Sequence, residues 1–430
     1  MKRRFLIPPR VELTETIQRI YRFRMTTTSG GNLSIRDQEG NIWITPSRVD
    51  KGNLTPDDMV CVKPDGETIG RYPYSSEFPF HRKIYEVRPD IKAVVHAHPV
   101  ALVAFSMCGQ TPDCRVFPKA FWICGKIGFA PYRLPGSEAL GDIIAEQFAA
   151  GSDCVLLENH GVVVGGETLE HAFRRFETLE FAARSIIQSK GLGETLLLND
   201  ESLALEREFH PELESFEPDA ATLKEQELRT ELAAFVRRGY AQQLLISTEG
   251  SFSARIDDKK FVITRAGADR MNLKESDLCL IDGDSKEEGT RPSRATRLHA
   301  AIYERNPDVR VIINATPVNA TAFCITQSNL DTRTIPESYI VLRDILRIPF
   351  KTLYQEPEKI ADAISINRPV ALIENDGVLL VGTSVLDGFD RLEVLEATAD
   401  AFLNTRSLGA LSPMSDASIA ELKSAFSLKD

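Results

Sequence analysis

The sequence predicts two tandem α/β modules, each layered in the α+β manner with helices against a mostly antiparallel sheet. Three observations carry that reading. The chain repeats itself at about half its length, apolar residues recur at helical spacing in some stretches and in short β-rich runs in others, and hairpin signals separate the β-rich runs.

The repeat is the strongest of the three. FHRKIYEVRPDIKAVVHAHPVALVAF (80–105) matches LHAAIYERNPDVRVIINATPVNATAF (298–323) without a gap, at an offset of 218 (298 against 80). VLLENHGVVVGG (155–166) matches ALIENDGVLLVG (371–382) at an offset of 216, and GGNLSIR (30–36) matches GSFSAR (250–255) at about 219. With 430 residues the chain exceeds the usual ~100–200 of one domain, so two modules account for nearly all of it. The expected organisation is a first module at 1–198, an acidic linker at 199–222, a second module at 223–410 and a tail at 411–430. The linker reading rests on acidic composition, two prolines and no long periodic pattern.

Within the first module, Leu13, Ile17, Ile20 and Tyr21 form the stripe of an amphipathic helix over 11–24. NLSIR and NIWIT, separated by DQEG, read as neighbouring antiparallel strands, a helix is expected over about 77–87, and AVVHAH reads as a strand. A strand pair around ENHGVVVGG and a helix over 168–190 complete the module.

Composition bounds the function. Hydrophobic residues at 43% and charged residues at 26% are ordinary globular values, and no apolar run approaches the ~20 residues of a membrane helix. The basic start, MKRRFLIPPR, has too short an apolar stretch for a signal peptide. Seven cysteines without a C-x-x-C pair read as reduced thiols of a cytoplasmic protein. A net charge of −11 argues against nucleic acid, so the expected partner is a small molecule rather than nucleic acid or membrane.

Alternation along a strand sends His96 and His98 of VVHAHP to one side, spaced for two imidazoles to reach one metal ion. His160, in ENHG, follows Asn159 and precedes Gly161 in a tight turn that could supply a third ligand. Three imidazoles with an open fourth position make a catalytic zinc arrangement, and imidazole also suits other first-row metals. In the second module these positions become Asn314, Thr316 and Asp376, while Pro99, Glu158, Asn159 and Gly161 keep identical counterparts. Glu77 is lost with them, as Ala295, and reads as a general acid/base beside the metal. His81 persists as His299 and reads as a structural residue; His171 and His210 carry no assigned role. Small hydroxyl and glycine residues at 26–32, 45–47 and 75–76 could cradle a phosphate with backbone N–H groups.

The motifs SGGNLSIR, ITPS, SSE-x-P-x-H, HAHP, APY-x-x-PGS-E and ENHG, in that order, resemble the class II aldolase/adducin family. The likeness spans about 28–190, and about 247–405 in degenerate form. The resemblance implies αβα modules, Zn²⁺ on His96, His98 and His160, Glu77 as the proton-moving group, and phosphate contacts from Asn32, Ser75 and Ser76, with Thr45, Ser47 and Arg48 in the neighbouring turn. It implies a lyase that cleaves a ketose 1-phosphate to dihydroxyacetone phosphate and an aldehyde through an enediolate. Epimerisation, decarboxylation or dehydration of a phosphorylated sugar or sugar acid, and a non-catalytic adducin-like scaffold, remain alternatives. Glu77 favours the aldolase branch, because the family's epimerases tend to carry Asp there. The family's TPSG turn reads TPSR here, and the position of a tyrosine proton donor contributed by a neighbouring subunit is Phe117. Relatives form homotetramers, so a dimer of two-module chains is the expected oligomer.

Overall fold

The computed structural model describes residues 7–209 and 212–428; His210 and the first six residues of the basic start lie outside them. Two compact units appear: Met1–Cys114 with Lys119–Arg184, and Arg115–Pro118 with Ser185–Asp430. Each is built on its own sheet.

The first sheet has eight strands: β1 (Asn32–Arg36), β2 (Ile42–Ile44), β3 (Val60–Val62), β4 (Thr68–Ile69), β5 (Ala93–Ala97), β6 (Ile127–Ala130), β7 (Cys154–Leu157) and β8 (Gly161–Gly166). Their order is β4-β3-β2-β1-β5-β8-β7-β6. Every pairing is antiparallel except β6 with β7. The two expected strand pairs are present, Ser34 facing Ile44 and Leu156 facing Val162. Both β5 and β8 are buried along their whole length, which is why AVVHA and GVVVGG read as apolar runs rather than alternating ones.

The helices of this unit include α1 (Pro9–Arg22), α2 (Phe78–Val87), α3 (Val100–Met107), α4 (Pro118–Cys124), α5 (Glu138–Ala149) and α6 (Leu169–Ser189). α2 starts one residue after Glu77, with Pro79 in its first turn where a missing N–H costs nothing. Phe80, Ile84 and Tyr85 of α2 pack with Ile144 and Phe148 of α5, Val94 of β5 and Val163 of β8 in one core.

The second sheet repeats the plan with β9 (Glu214–Phe216), β10 (Ser251–Arg255), β11 (Lys260–Thr264), β12 (Leu278–Asp282), β13 (Ser285–Glu287), β14 (Val311–Ala315), β15 (Leu346–Ile348), β16 (Val370–Ile373) and β17 (Gly377–Gly382). The order is β15-β16-β17-β14-β10-β11-β12-β13-β9. Residues alternate between two cores: Val262, Ile313 and Leu380 face one, while Ile263, Ile312 and Leu379 face the other.

The segment 199–222 differs from a solvated linker. Asn199 caps a helix, Asp200–Glu208, that buries Leu203 and Glu206, and β9 extends the second sheet by pairing with β13 in parallel. Its acidic residues are matched by basic partners, Glu206 with Arg294 and Glu201 with Lys351. The tail also carries a helix, Asp416–Ala425, tied through Asp416 to Arg333. Among the described residues, no helix is long and apolar enough to cross a membrane.

One helix-capping carboxylate recurs in both units, buried in the first and half-buried in the second. Glu180 of α6 accepts the N–H groups of Ala101 and Leu102 at 3.2 and 3.1 Å, so it caps α3 directly after the HAHP turn. Glu396 does the same for Asn319 and Ala320 at 3.0 and 2.9 Å. Burial pushes Glu180 up to about 7, against the lowering effect of its two N–H donors and of Arg184. From its ordinary 4.5 to about 7 the folded chain therefore holds a proton that the unfolded chain releases, and this contribution to stability declines as pH rises through that window. Glu180→Gln is expected to flatten the pH dependence of the first unit's urea midpoint between those values and to lower stability by about 1–3 kcal/mol above them, where the paired acceptor is lost.

Candidate metal centre

Three elements of the first sheet build the centre. β5 lies between β1 and β8, and Asn32 of β1 stands directly opposite His96. His98 follows one residue beyond the end of β5. His160 occupies the turn between β7 and β8, where Asn159 takes a φ of 56°, a left-handed conformation that asparagine tolerates.

The ring nitrogens of His96, His98 and His160 have ligand atoms within 4.8 Å of one another. His96 Nδ1 lies 3.0 Å from the Val162 carbonyl, which can only accept, so Nδ1 carries the hydrogen and Nε2 presents a lone pair. That lone pair faces His98 Nε2 at 3.1 Å and Glu77 Oε2 at 3.2 Å. Glu77 Oε1 lies 3.4 Å from His160 Nε2 and accepts no hydrogen bond among the described residues. A lone pair held against a carboxylate oxygen is unfavourable unless a proton or cation joins them, so this donor set fits a divalent metal with nitrogen ligands.

Electrostatics agree with that fit. Burial holds His98 at about 3 and His160 at about 4, so both imidazoles are neutral at ordinary pH and can ligate. Burial alone pushes the Glu77 carboxyl up, but positive charge at His96 and His160, whether from a proton or a bound cation, and the Asn32 hydrogen bond outweigh it and hold the group below the usual carboxylate range. Glu77 is anionic although only 9% exposed.

A buried hydrogen-bond chain holds that carboxylate. Tyr85 and Ser34 hydroxyls meet at 2.7 Å, Ser34 is 2.7 Å from His81 Nδ1, His81 Nε2 donates to Asn32 Oδ1 at 2.5 Å, and Asn32 Nδ2 donates to Glu77 Oε2 at 2.7 Å. Asn32, expected as a phosphate contact, thus spends its amide on Glu77 and His81. His81 has the structural role expected of it, and that role extends to orienting Glu77. In the second unit the chain runs Tyr303, Ser253, His299 and stops at Asn314, the counterpart of His96.

The other expected phosphate residues separate. Thr45 is fully buried and its hydroxyl oxygen accepts the Leu33 N–H at 3.2 Å, a strand contact that Thr264 repeats with Phe252. Ser75 is buried and accepts the Glu77 N–H at 3.3 Å. Ser76 and Arg48 are exposed and Ser47 is half-buried. Arg48 has a φ of 57°, which accounts for glycine being the family's residue in this turn; the second unit has Gly267 there, at 73°. Sequence reasoning missed Lys51. It is 1% exposed, reaches the Pro46 carbonyl at 2.6 Å, and is lowered to about 8 by burial with Glu77 raising it. The signal was present as Arg270, which likewise reaches the carbonyl of Arg265.

The family described as "Class II Aldolase and Adducin N-terminal domain" matches residues 11–187 and again 230–403. The chain belongs to that family. Among class II aldolase relatives, a 3-oxo-tetronate 4-phosphate decarboxylase of Escherichia coli (strain K12) is 36% identical over 182 residues, covering 41% of this chain and 85% of the relative. An L-fuculose phosphate aldolase of Methanococcus maripaludis is 35% identical over 178 residues, covering 40% of this chain and 95% of the relative. A 5-deoxy-D-ribulose 1-phosphate aldolase of Bacillus thuringiensis is 34% identical over 182 residues, with coverages of 42% and 84%. A solved structure described as a putative aldolase/epimerase/decarboxylase from Escherichia coli shares 32% identity at a TM-score of 0.42, covering 45% of this chain and 95% of that one.

Close backbone approach makes this centre sensitive to added atoms. A Cβ at Gly161 would lie 2.6 Å from both the Ala97 carbonyl and His98 Cδ2. Gly161→Ala is expected to cost about 1–3 kcal/mol of first-unit stability in urea titrations and to lower the metal retained after dialysis.

Proposed function

We propose that the first module is a metal-dependent lyase breaking a carbon–carbon bond beside the ketone of a phosphorylated sugar, with zinc on His96, His98 and His160. The observation that carries this reading is the Glu77 carboxylate, anionic and buried, reaching two of the three imidazoles at 3.2 and 3.4 Å with one oxygen free of hydrogen bonds. Zinc bound there would supply a fixed positive charge that stabilises the negative oxygens of an enediolate.

Glu77 is the proton carrier. When a ketose 1-phosphate is cleaved, the bonding electrons stay with the ketone fragment as an enediolate. The departing carbon's hydroxyl gives its proton to the Glu77 carboxylate as that carbon becomes an aldehyde. Glu77 delivers a proton to the enediolate carbon, giving dihydroxyacetone phosphate. Asn32 fixes the carboxylate for this transfer through its 2.7 Å bond, and His81 fixes Asn32. Lys51 holds the Thr45–Arg48 turn by its bond to the Pro46 carbonyl, keeping Ser47 and Arg48 placed for an anionic group.

One observation favours a second reading, decarboxylation of a 3-oxo acid 4-phosphate. Phe117, which ungapped counting back from APY sets at the position of the tyrosine proton donor of some aldolases of the family, has no hydroxyl, and Arg115–Pro118 belongs to the second compact unit. Carbon dioxide leaves without a hydroxyl proton to be moved, so the one proton needed at the enediolate carbon is drawn from water and passed on by Glu77. Both reactions pass through the same enediolate and yield dihydroxyacetone phosphate; they differ in the departing fragment.

Elemental analysis of the purified chain supplied with zinc is expected to give about one metal per chain, lost in the His96→Ala, His98→Ala double variant. Dihydroxyacetone phosphate release should then be tested with L-fuculose 1-phosphate, 5-deoxyribulose 1-phosphate and 3-oxo-tetronate 4-phosphate, with carbon dioxide measured alongside. Glu77→Gln should keep the metal and lower turnover by roughly 10²–10⁴-fold. A chain that takes up no zinc and releases no product would instead be an adducin-like binding protein.

A further inference from the structure

A cavity of about 450 Å³ opens in the second unit, lined by Asp308, Arg310, Arg343, Asn367, Thr383 and Ser427. This volume lies in the ordinary range for small-molecule sites, about 300–1,000 Å³. Among the described residues, neither the Arg310 nor the Arg343 guanidinium has a hydrogen-bond or ion-pair partner.

At the same place in the first unit the arginines are paired with carboxylates. There Asp153 accepts Arg88 at 3.2 Å and Arg175 at 2.9 Å, and Arg88 also pairs with Asp90 at 2.7 Å. Gly125 ends α4 with a φ of 64°, and a Cβ on it would meet Asp153 Oδ2 at 2.7 Å.

The two units correspond closely here. α4 (Pro118–Cys124) and the helix Pro336–Leu342 share the offset of 218, and the residue after each bonds back at 3.2 Å, Gly125 to Phe121 and Arg343 to Tyr339. At matching positions Asp153 has become Pro369, Arg88 has become Asn306, Lys92 has become Arg310, Glu167 has become Thr383 and Gly125 has become Arg343. The carboxylates of Asp153 and Glu167 have gone with the Arg88 guanidinium, and guanidinium groups stand at 310 and 343 in place of Lys92 and Gly125. The retained Arg391, counterpart of Arg175, is paired with Asp387 at 3.1 Å, which leaves Arg310 and Arg343 against Asp308.

Arg343 sits at φ 61° and ψ −155°, a region essentially reserved for glycine. Its backbone is held at both ends, the N–H by the Tyr339 carbonyl at 3.2 Å and the carbonyl by the Thr332 hydroxyl at 2.9 Å, while the side chain is half-buried and unpaired. Burial lowers its pKa, Tyr339 raises it and Arg391 lowers it again, so its charge is incompletely stabilised within the chain. A strained residue carrying an unmet charge into an open cavity is a feature of ligand sites rather than of packing.

The geometry points to a second ligand site in the degenerate module, at which Arg343 and Arg310 grip the phosphate of a small phosphorylated polyol or sugar while Asp308 accepts from one of its hydroxyls. Guanidinium forks match phosphate oxygens in pairs, and the Asn367 amide and Ser427 hydroxyl add neutral donors. This site is separate from the three-histidine centre and needs no metal.

Equilibrium dialysis of the full chain with radiolabelled inorganic phosphate tests it, comparing wild type, Arg343→Gly and Arg310→Met. Each variant should bind one phosphate fewer per chain, or bind that one at least tenfold more weakly. Any phosphate taken by the first module persists in all three proteins and cancels in the comparison. Arg343→Gly restores the first module's residue and should raise the melting temperature, so lost binding would not reflect unfolding; Arg310→Met leaves the strained backbone in place and probes the charge alone. Equal stoichiometry and equal affinity in the three proteins would overturn the proposal.

Discussion

The first module depends on the position of β5 between β1 and β8. That placement sets Asn32 opposite His96 and brings the turn after β7 to the same end of the sheet. Because β5 is buried on both faces, the polar groups there must find partners within the protein, and they do so through a chain running from Tyr85 to Glu77. The chain fixes the carboxylate, the Val162 carbonyl fixes the His96 tautomer, and the close approach of Gly161 sets how near His98 can come. Chemistry at this centre is therefore a by-product of how the sheet satisfies its own buried polar atoms.

Much of this was legible in the sequence, because repetition inside one chain acts as a control. Positions that keep their residue type in both halves point to the fold, and positions that change together point to a candidate site: His96, His98, His160 and Glu77 stand out in this way, and the three histidines lie close enough to hold one metal ion. The strands and helices of the first module follow from their periods, and their observed bounds lie within a few residues of the expected ones.

What was not legible depends on partners far along the chain. Asn32 and Glu77 are 45 residues apart, and nothing local shows that the amide belongs to a carboxylate rather than to a ligand. Lys51 reads as an ordinary surface lysine until the fold buries it. Segment 199–222 was misread because acidic composition signals solvation only when its charges lack partners, and here Arg294 and Lys351 supply them. Glu180 was invisible for a related reason: its task, capping a helix 78 residues earlier, is defined by tertiary placement.

The hydrogen-bond chain that stops at Asn314 bears on whether the first module's histidine set could be placed in the second. Histidines restored at 314, 316 and 376 would not rebuild the first module's arrangement, because the His299 ring, fully buried, now relies on Asn314 as its acceptor. In the first module that acceptor is Asn32, whose counterpart is Ser251, too short to reach across and already engaged with Ser293. A histidine at 314 leaves a buried N–H without a partner until Ser251 becomes asparagine as well. Histidine restored at 314 alone passes through a less stable intermediate, so the divergence of the two halves works as a ratchet that holds the second module to its present residues.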